Sequence, residues 1–181
     1  MPIPIGGLSP RATSSDPAQL LLECHDRIRQ HMRGALALCK APSADDAAIA
    51  ATARGLIRYF SIALPLHAQD EDESVGPRLA ATALSPSFDR AVADMTLQHA
   101  DIDRVLERLL PAWEALAGHP DQLETMRESL TVDTVKLDAL WDVHLDLEEC
   151  VVFPLIGERL DEATRDTIVA EMRRRRVPKS A

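Results

Sequence analysis

The chain has 181 residues, 46% of them apolar and 27% charged, with a formal net charge of -9. That length suits one domain around one core, and the acidic balance argues against a nucleic-acid partner, which needs an extended cationic surface. With aromatics at 3% and charged residues recurring at helical intervals, the expected core is aliphatic and the expected class all-α.

Residues 1–16, rich in Pro, Gly and Ser, read as a flexible N-terminal segment without the cationic start or apolar stretch of a signal peptide. The folded domain is expected over residues 17–176, followed by a tail over 177–181. Asp16-Pro17 supplies an N-cap and a first-turn proline. From there Leu21, His25, Ile28, Met32, Ala35 and Cys39 step by four and three along one helical face, and Ala41-Pro42 closes the helix.

Ser43 with Asp46 resembles a capping box and opens a second stripe of Ile49, Ala53, Leu56, Phe60, Ala63 and His67, with Asp70 and Glu71 next. After Ser85-Pro86 a third stripe runs through Phe88, Val92, Met95, His99, Ile102, Leu106, Leu109, Trp113 and Leu116, ended by Gly118. The fourth takes in Leu123, Met126, Leu130, Asp133, Leu137, Leu140, His144, Leu147 and Val151. Four long amphipathic helices with short connectors predict an up-and-down bundle.

After Pro154, Asp161 caps a shorter fifth helix whose last residues, Arg173 to Arg176, read as cations complementing a helix C-terminus. Pro65 and Pro111 interrupt helical patterns and should kink them or force a bulge. No segment reads as apolar for long enough to cross a membrane. Cys24, Cys39 and Cys150 match no ligand spacing or redox pair, so they read as reduced thiols, and a cytoplasmic location is expected.

One phrase occurs twice. His67 is followed by Glu71 four places on, by the acid Asp72, and by Pro77; 77 residues later His144 is followed by Glu148, Glu149 and Pro154 in the same positions. Each long helix also carries one histidine on its apolar stripe, His25, His67, His99 and His144, whereas His31 and His119 fall off the stripes. On a helix, residues i and i+4 lie one turn apart, so each repeated phrase aims an imidazole and a carboxylate at the bundle axis together. Two carboxylates buried there without a cation would be very costly.

The order His, then His-x-x-x-Glu, repeats, which marks a duplicated helical hairpin and predicts a pseudo-symmetric pair of metals. Each ion would take two histidines while Glu71 and Glu148 bridge. Mixed nitrogen and oxygen ligation suits non-haem iron best, with manganese or zinc as competitors. Tyr59 and Trp141, near these segments, could gate access or carry an electron, or simply pack. Asp103, one turn past His99, could be an acceptor for a ligand, an extra ligand, or a solvated surface residue.

The segments "LLECHDRI", "PLHAQDEDE", "LQHADIDRVL" and "HLDLEECVVFPL" resemble the hemerythrin-like family, the HHE cation-binding domains, over residues 17–175. The resemblance implies a non-haem di-iron centre, oxo- or hydroxo-bridged, with His25, His67, Glu71, His99, His144 and Glu148 as ligands. Oxygen-carrying members place a second histidine four residues past the third-helix histidine, where this chain has Asp103. The chain therefore resembles the four-histidine, two-glutamate branch. The implied function is binding or sensing a small diatomic molecule or peroxide. Iron handling or iron-centre repair, and a metal-stapled interaction module, are the alternatives.

Overall fold

The computed structural model describes residues 15–40, 45–82 and 85–177. Among them there is no strand, and five helices run in sequence. α1 is Pro17–Lys40, α2 spans Asp46–Ala80, α3 is Pro86–Gly118, α4 covers residues 123–159, and α5 is Glu162–Arg175. The first four make the bundle. All six stripe residues read for α1 are buried.

Asp45 caps α2 by accepting from the Ala47 amide. The cap is therefore Asp45, two residues later than the Ser43 expected from sequence; Ser43 and the Ala41-Pro42 stop lie outside the described residues. The N-terminal segment up to residue 14 and the tail from residue 178 lie outside them as well. Asp161 caps α5 as expected, accepting from Thr164.

The long helices are not α-helical throughout. α2 widens into π turns at Tyr59–Ala63 and Asp70–Val75, and α4 at Glu148–Val152. Each π turn ends two residues before a proline. The residue preceding that proline bonds back five places: Leu64 to the Tyr59 carbonyl, Gly76 to that of Glu71, and Phe153 to that of Glu148. Proline has no amide to donate, and in an α-turn its ring presses on the carbonyl four residues back; a widened turn relieves both problems. α3, by contrast, runs as α-helix through Pro111, without the bulge that was one expectation there.

The π turns correct the stripes. With one residue added at Tyr59–Ala63, the buried series passes from Phe60 to Leu64 and His67, leaving Ala63 outside. In α4 the same widening buries Val152 and exposes Val151. Two matched series result, His67, Glu71, Val75, Leu79 and His144, Glu148, Val152, Ile156, every member buried. At 3.6 residues per turn a strict four-residue step drifts by about 40° each time. The π turns absorb the drift, so imidazole, carboxylate and apolar anchors stay on one line.

By length and composition Asp46–Ala80 is apolar enough to cross a membrane, contrary to the expectation that no segment would be. Its inner face is committed to the bundle: Ile49, Ala53, Leu56, Phe60 and Leu64 belong to the main core, which also holds Trp113 and Trp141.

The arginines at the end of α5 do more than complement a dipole. Asp70, fully buried in the second π turn, receives Arg175 at 2.8 Å and Arg176 at 2.6 Å. Arg175 also donates to Ser74, and Arg78 pairs with Glu171 at 2.8 Å. α5 is thus clamped to the π turn that carries Glu71.

Candidate metal centre

The bundle brings all six expected residues together. Ligand-type atoms of His25, His67, Glu71 and Glu148 lie within 4.8 Å of one another, and so do those of Glu71, His99, His144 and Glu148. The two groups share both glutamates. Each glutamate is approached by the histidine of its own helix and by one from the other hairpin. Glu148 has His144 at 3.0 Å and His25 at 2.9 Å; Glu71 has His67 at 3.2 Å and His99 at 4.0 Å.

These short separations are not hydrogen bonds. Nε2 of His25 and of His67, and both oxygens of Glu71 and Glu148, are buried without a hydrogen-bond partner. Buried polar atoms nearly always find partners, and here six converge on one another at unsuitable angles. A cation bound among them satisfies all six, so the residues present fit a metal.

Two ring partners set the tautomers. His25 Nδ1 donates to Glu149 at 2.7 Å, and Glu149 is held in turn by Arg29 at 2.8 Å. His144 Nδ1 donates to the Gln98 side-chain oxygen at 3.1 Å. Both leave Nε2 as an unprotonated nitrogen facing the cluster, the form a metal requires; that of His144 lies 3.1 Å from His99 Nε2. The acid following each glutamate in the repeated phrase thereby acquires a role, at least in the second copy. The sequence showed the acid but not its partner, because His25 lies 124 residues away.

Without a cation the charges are in conflict. Burial, and then the neighbouring Glu148 carboxylate, raise the Glu71 carboxyl well above its ordinary value. Burial acts on Glu148 in the same sense, but the close approach of the His144 and His25 rings prevails and holds its carboxyl below the carboxylate range. Burial pushes His67 down to about 3, with Glu148 opposing; burial first, and then the neighbouring His144 ring, lower His99. Groups displaced in these directions by burial and by one another are ones that a cation among them would bring back toward their metal-binding forms.

The other candidates fall elsewhere. His31 donates to the Arg27 carbonyl and stacks on Tyr59 with ring centroids 3.8 Å apart, and His119 ends α3. Tyr59 donates to the Cys24 carbonyl at 3.3 Å and belongs to the core. Trp141 does meet the site, its ring edge-on to His144 at 5.5 Å. Asp103 is exposed and outside both clusters, and Asp133 is paired with Arg108 at 2.6 Å.

The family model described as the hemerythrin HHE cation binding domain matches residues 16–156 of the chain. Among curated proteins nothing matches.

Proposed function

Starting from a chain that belongs to the hemerythrin HHE cation-binding family, we propose that it is a non-haem di-iron protein that binds or senses a small oxidant. Oxygen, nitric oxide and peroxide are the candidate ligands. The observation that carries this reading is the pair of four-residue clusters sharing Glu71 and Glu148, with their facing atoms otherwise unsatisfied. His25 and His67 would hold one ion, His99 and His144 the other, and the two glutamates would bridge. Four imidazoles and two carboxylates suit iron, with manganese or zinc as competitors.

Reduced iron there would supply electrons and an open coordination position to a small oxidant. The protein's own contribution is positional. Glu149 and Gln98 hold ligand rings in their metal-facing tautomer, and Phe153, packed on His25 at 4.9 Å, keeps water from that ring. The free thiols of Cys24, Cys39 and Cys150 fit a reducing, cytoplasmic setting. His99 is less enclosed than the other three histidines of the cluster, which favours one second reading, an iron donor or repair factor that releases its metal.

Metal analysis after anaerobic iron reconstitution, followed by absorption spectra before and after oxygen or nitric oxide, tests the proposal. Two irons per chain and a spectral response are expected. One iron or none overturns the binuclear site. Two irons with no response to either gas overturn the oxidant reading and leave a metal staple. Fast loss of iron to a competing chelator selects the donor.

A further inference from the structure

The duplicated hairpin makes the two halves of the site comparable residue by residue, and they are unequal. Phe153 stands five places after Glu148 and covers His25, whose side chain is 0% exposed. The residue five places after Glu71 is Gly76, and the histidine that approaches Glu71 from the other hairpin, His99, is 24% exposed. Glu149 bonds His25, whereas its counterpart Asp72 is exposed and acts on His99 only through its charge. The histidine-to-glutamate separation is 2.9 Å in the closed half and 4.0 Å in the other.

The backbone at Gly76 is right-handed and so open to other residues, at the cost of a small shift. A Cβ there would lie 3.1 Å from the Glu71 carbonyl oxygen, and Phe153 carries a full side chain in the matching relation to Glu148. What the glycine omits is the ring that closes the other half.

We propose that Gly76 leaves an opening over His99, so that the His99–His144 half of the site is the one through which metal and the small ligand pass. The His25–His67 half is sealed by Phe153. This rests on the metal-centre reading above, and adds which half is reached and by what. Asp72 and Asp103, both exposed, place negative charge near His99. The opening therefore favours cations and small neutral molecules over anions.

Carbethoxylation of the metal-free protein by diethyl pyrocarbonate, mapped by mass spectrometry, reads which imidazoles are reached, with exposed His119 as reference. His99 should react about tenfold or more faster than His25. Gly76→Phe should bring His99 down toward the His25 rate, and Phe153→Gly should raise His25. In iron-loaded protein, Gly76→Phe should slow nitric oxide association and chelator-driven iron release by about tenfold, at unchanged iron content. Asp103→Asn should speed azide association and leave that of nitric oxide as it was. Equal reactivity of His25 and His99 in the wild type overturns the proposal without requiring any variant to fold, as do unchanged rates in folded Gly76→Phe. Because the labelling needs no metal, it stands apart from the metal reading: a chain that takes up no iron would sink that reading and leave the His99 to His25 ratio to be judged on its own.

Discussion

The two ends of the bundle are made of the same four helices and solve opposite problems. At one end, the C-terminal half of α1 meets the start of α2, the end of α3 and the start of α4 around Trp113, fully buried and stacked on Phe60 at 5.4 Å. At the other end the same helices bury three imidazoles and two glutamates, with Asp70 beside them, and half-bury a fourth imidazole, that of His99. The first end is stabilised chiefly by apolar area, with a few neutral contacts such as Cys39 to Thr134. The second buries polar groups that only a cation or an ion pair can compensate, so its stability depends on what is bound.

Removing the metal should therefore have the largest effect and should be confined to one end. Where free ion exceeds its dissociation constant a thousandfold, binding contributes about 4 kcal/mol per ion. Chelation at neutral pH should lower the melting temperature and speed amide exchange around residues 67–79 and 144–156, but not around Trp113. Uniform acceleration along all four helices would show that the ends are not separable. The converse test is Trp113→Ala, expected to cost roughly 3–5 kcal/mol in denaturant unfolding with metal content unchanged. Loss of metal in that variant would erase the distinction.

Asp70→Ala asks how far the site end relies on α5. Breaking a buried pair typically costs 3–5 kcal/mol, but the guanidinium groups here keep some contact with water, so about 2 kcal/mol is expected. Released α5 should show as protease cleavage between α4 and α5. An undisturbed α5 would mean that its apolar contacts hold it without the pair.

The smallest effect is the most specific, because its sign changes with metal. The Glu71 carboxyl sits above its ordinary value of 4.5, so over that interval the unfolded chain releases a proton the folded chain keeps, and stability falls as pH rises. His67, near 3 against 6.5, acts in the other direction: stability falls as pH drops from 6.5 toward 3. Metal-free Glu71→Gln should lose only the alkaline decline and exceed the metal-free wild type by about 1 kcal/mol at neutral pH. With metal supplied, the wild type should be the more stable. The same order in both states would mean that Glu71 faces no cation.

What could be read from the sequence was what repeats locally. Histidines on apolar stripes and glutamates one turn on are visible in a window of a few residues, which is why all six cluster members and the five helices were in view. Contacts between hairpins leave no such mark. The Glu149–His25 and Gln98–His144 bonds span 124 and 46 residues, and the Arg175–Asp70 pair spans 105. The π turns were half legible: Pro65 announced a disturbance, but Pro111 carries the same local signal and sits in unbroken α-helix. The residue alone states that a bond is missing, and the surrounding packing decides how the helix responds. Asp45 in place of Ser43 is a smaller case, since several short polar residues there are all capable caps.

A π turn is also a genetic object. One residue beyond what an α-turn holds is what a single-codon insertion leaves in a helix, and the turns at Asp70–Val75 and Glu148–Val152 occupy the same place in both hairpins. The turn at Tyr59–Ala63 has no twin, because residues 136–140 are α-helical. Deleting one residue from either shared turn would restore α-geometry and rotate everything downstream by about 100°, swinging Leu79 or Ile156 off the core. These are therefore helices in which a single-residue deletion should be tolerated less well than most substitutions.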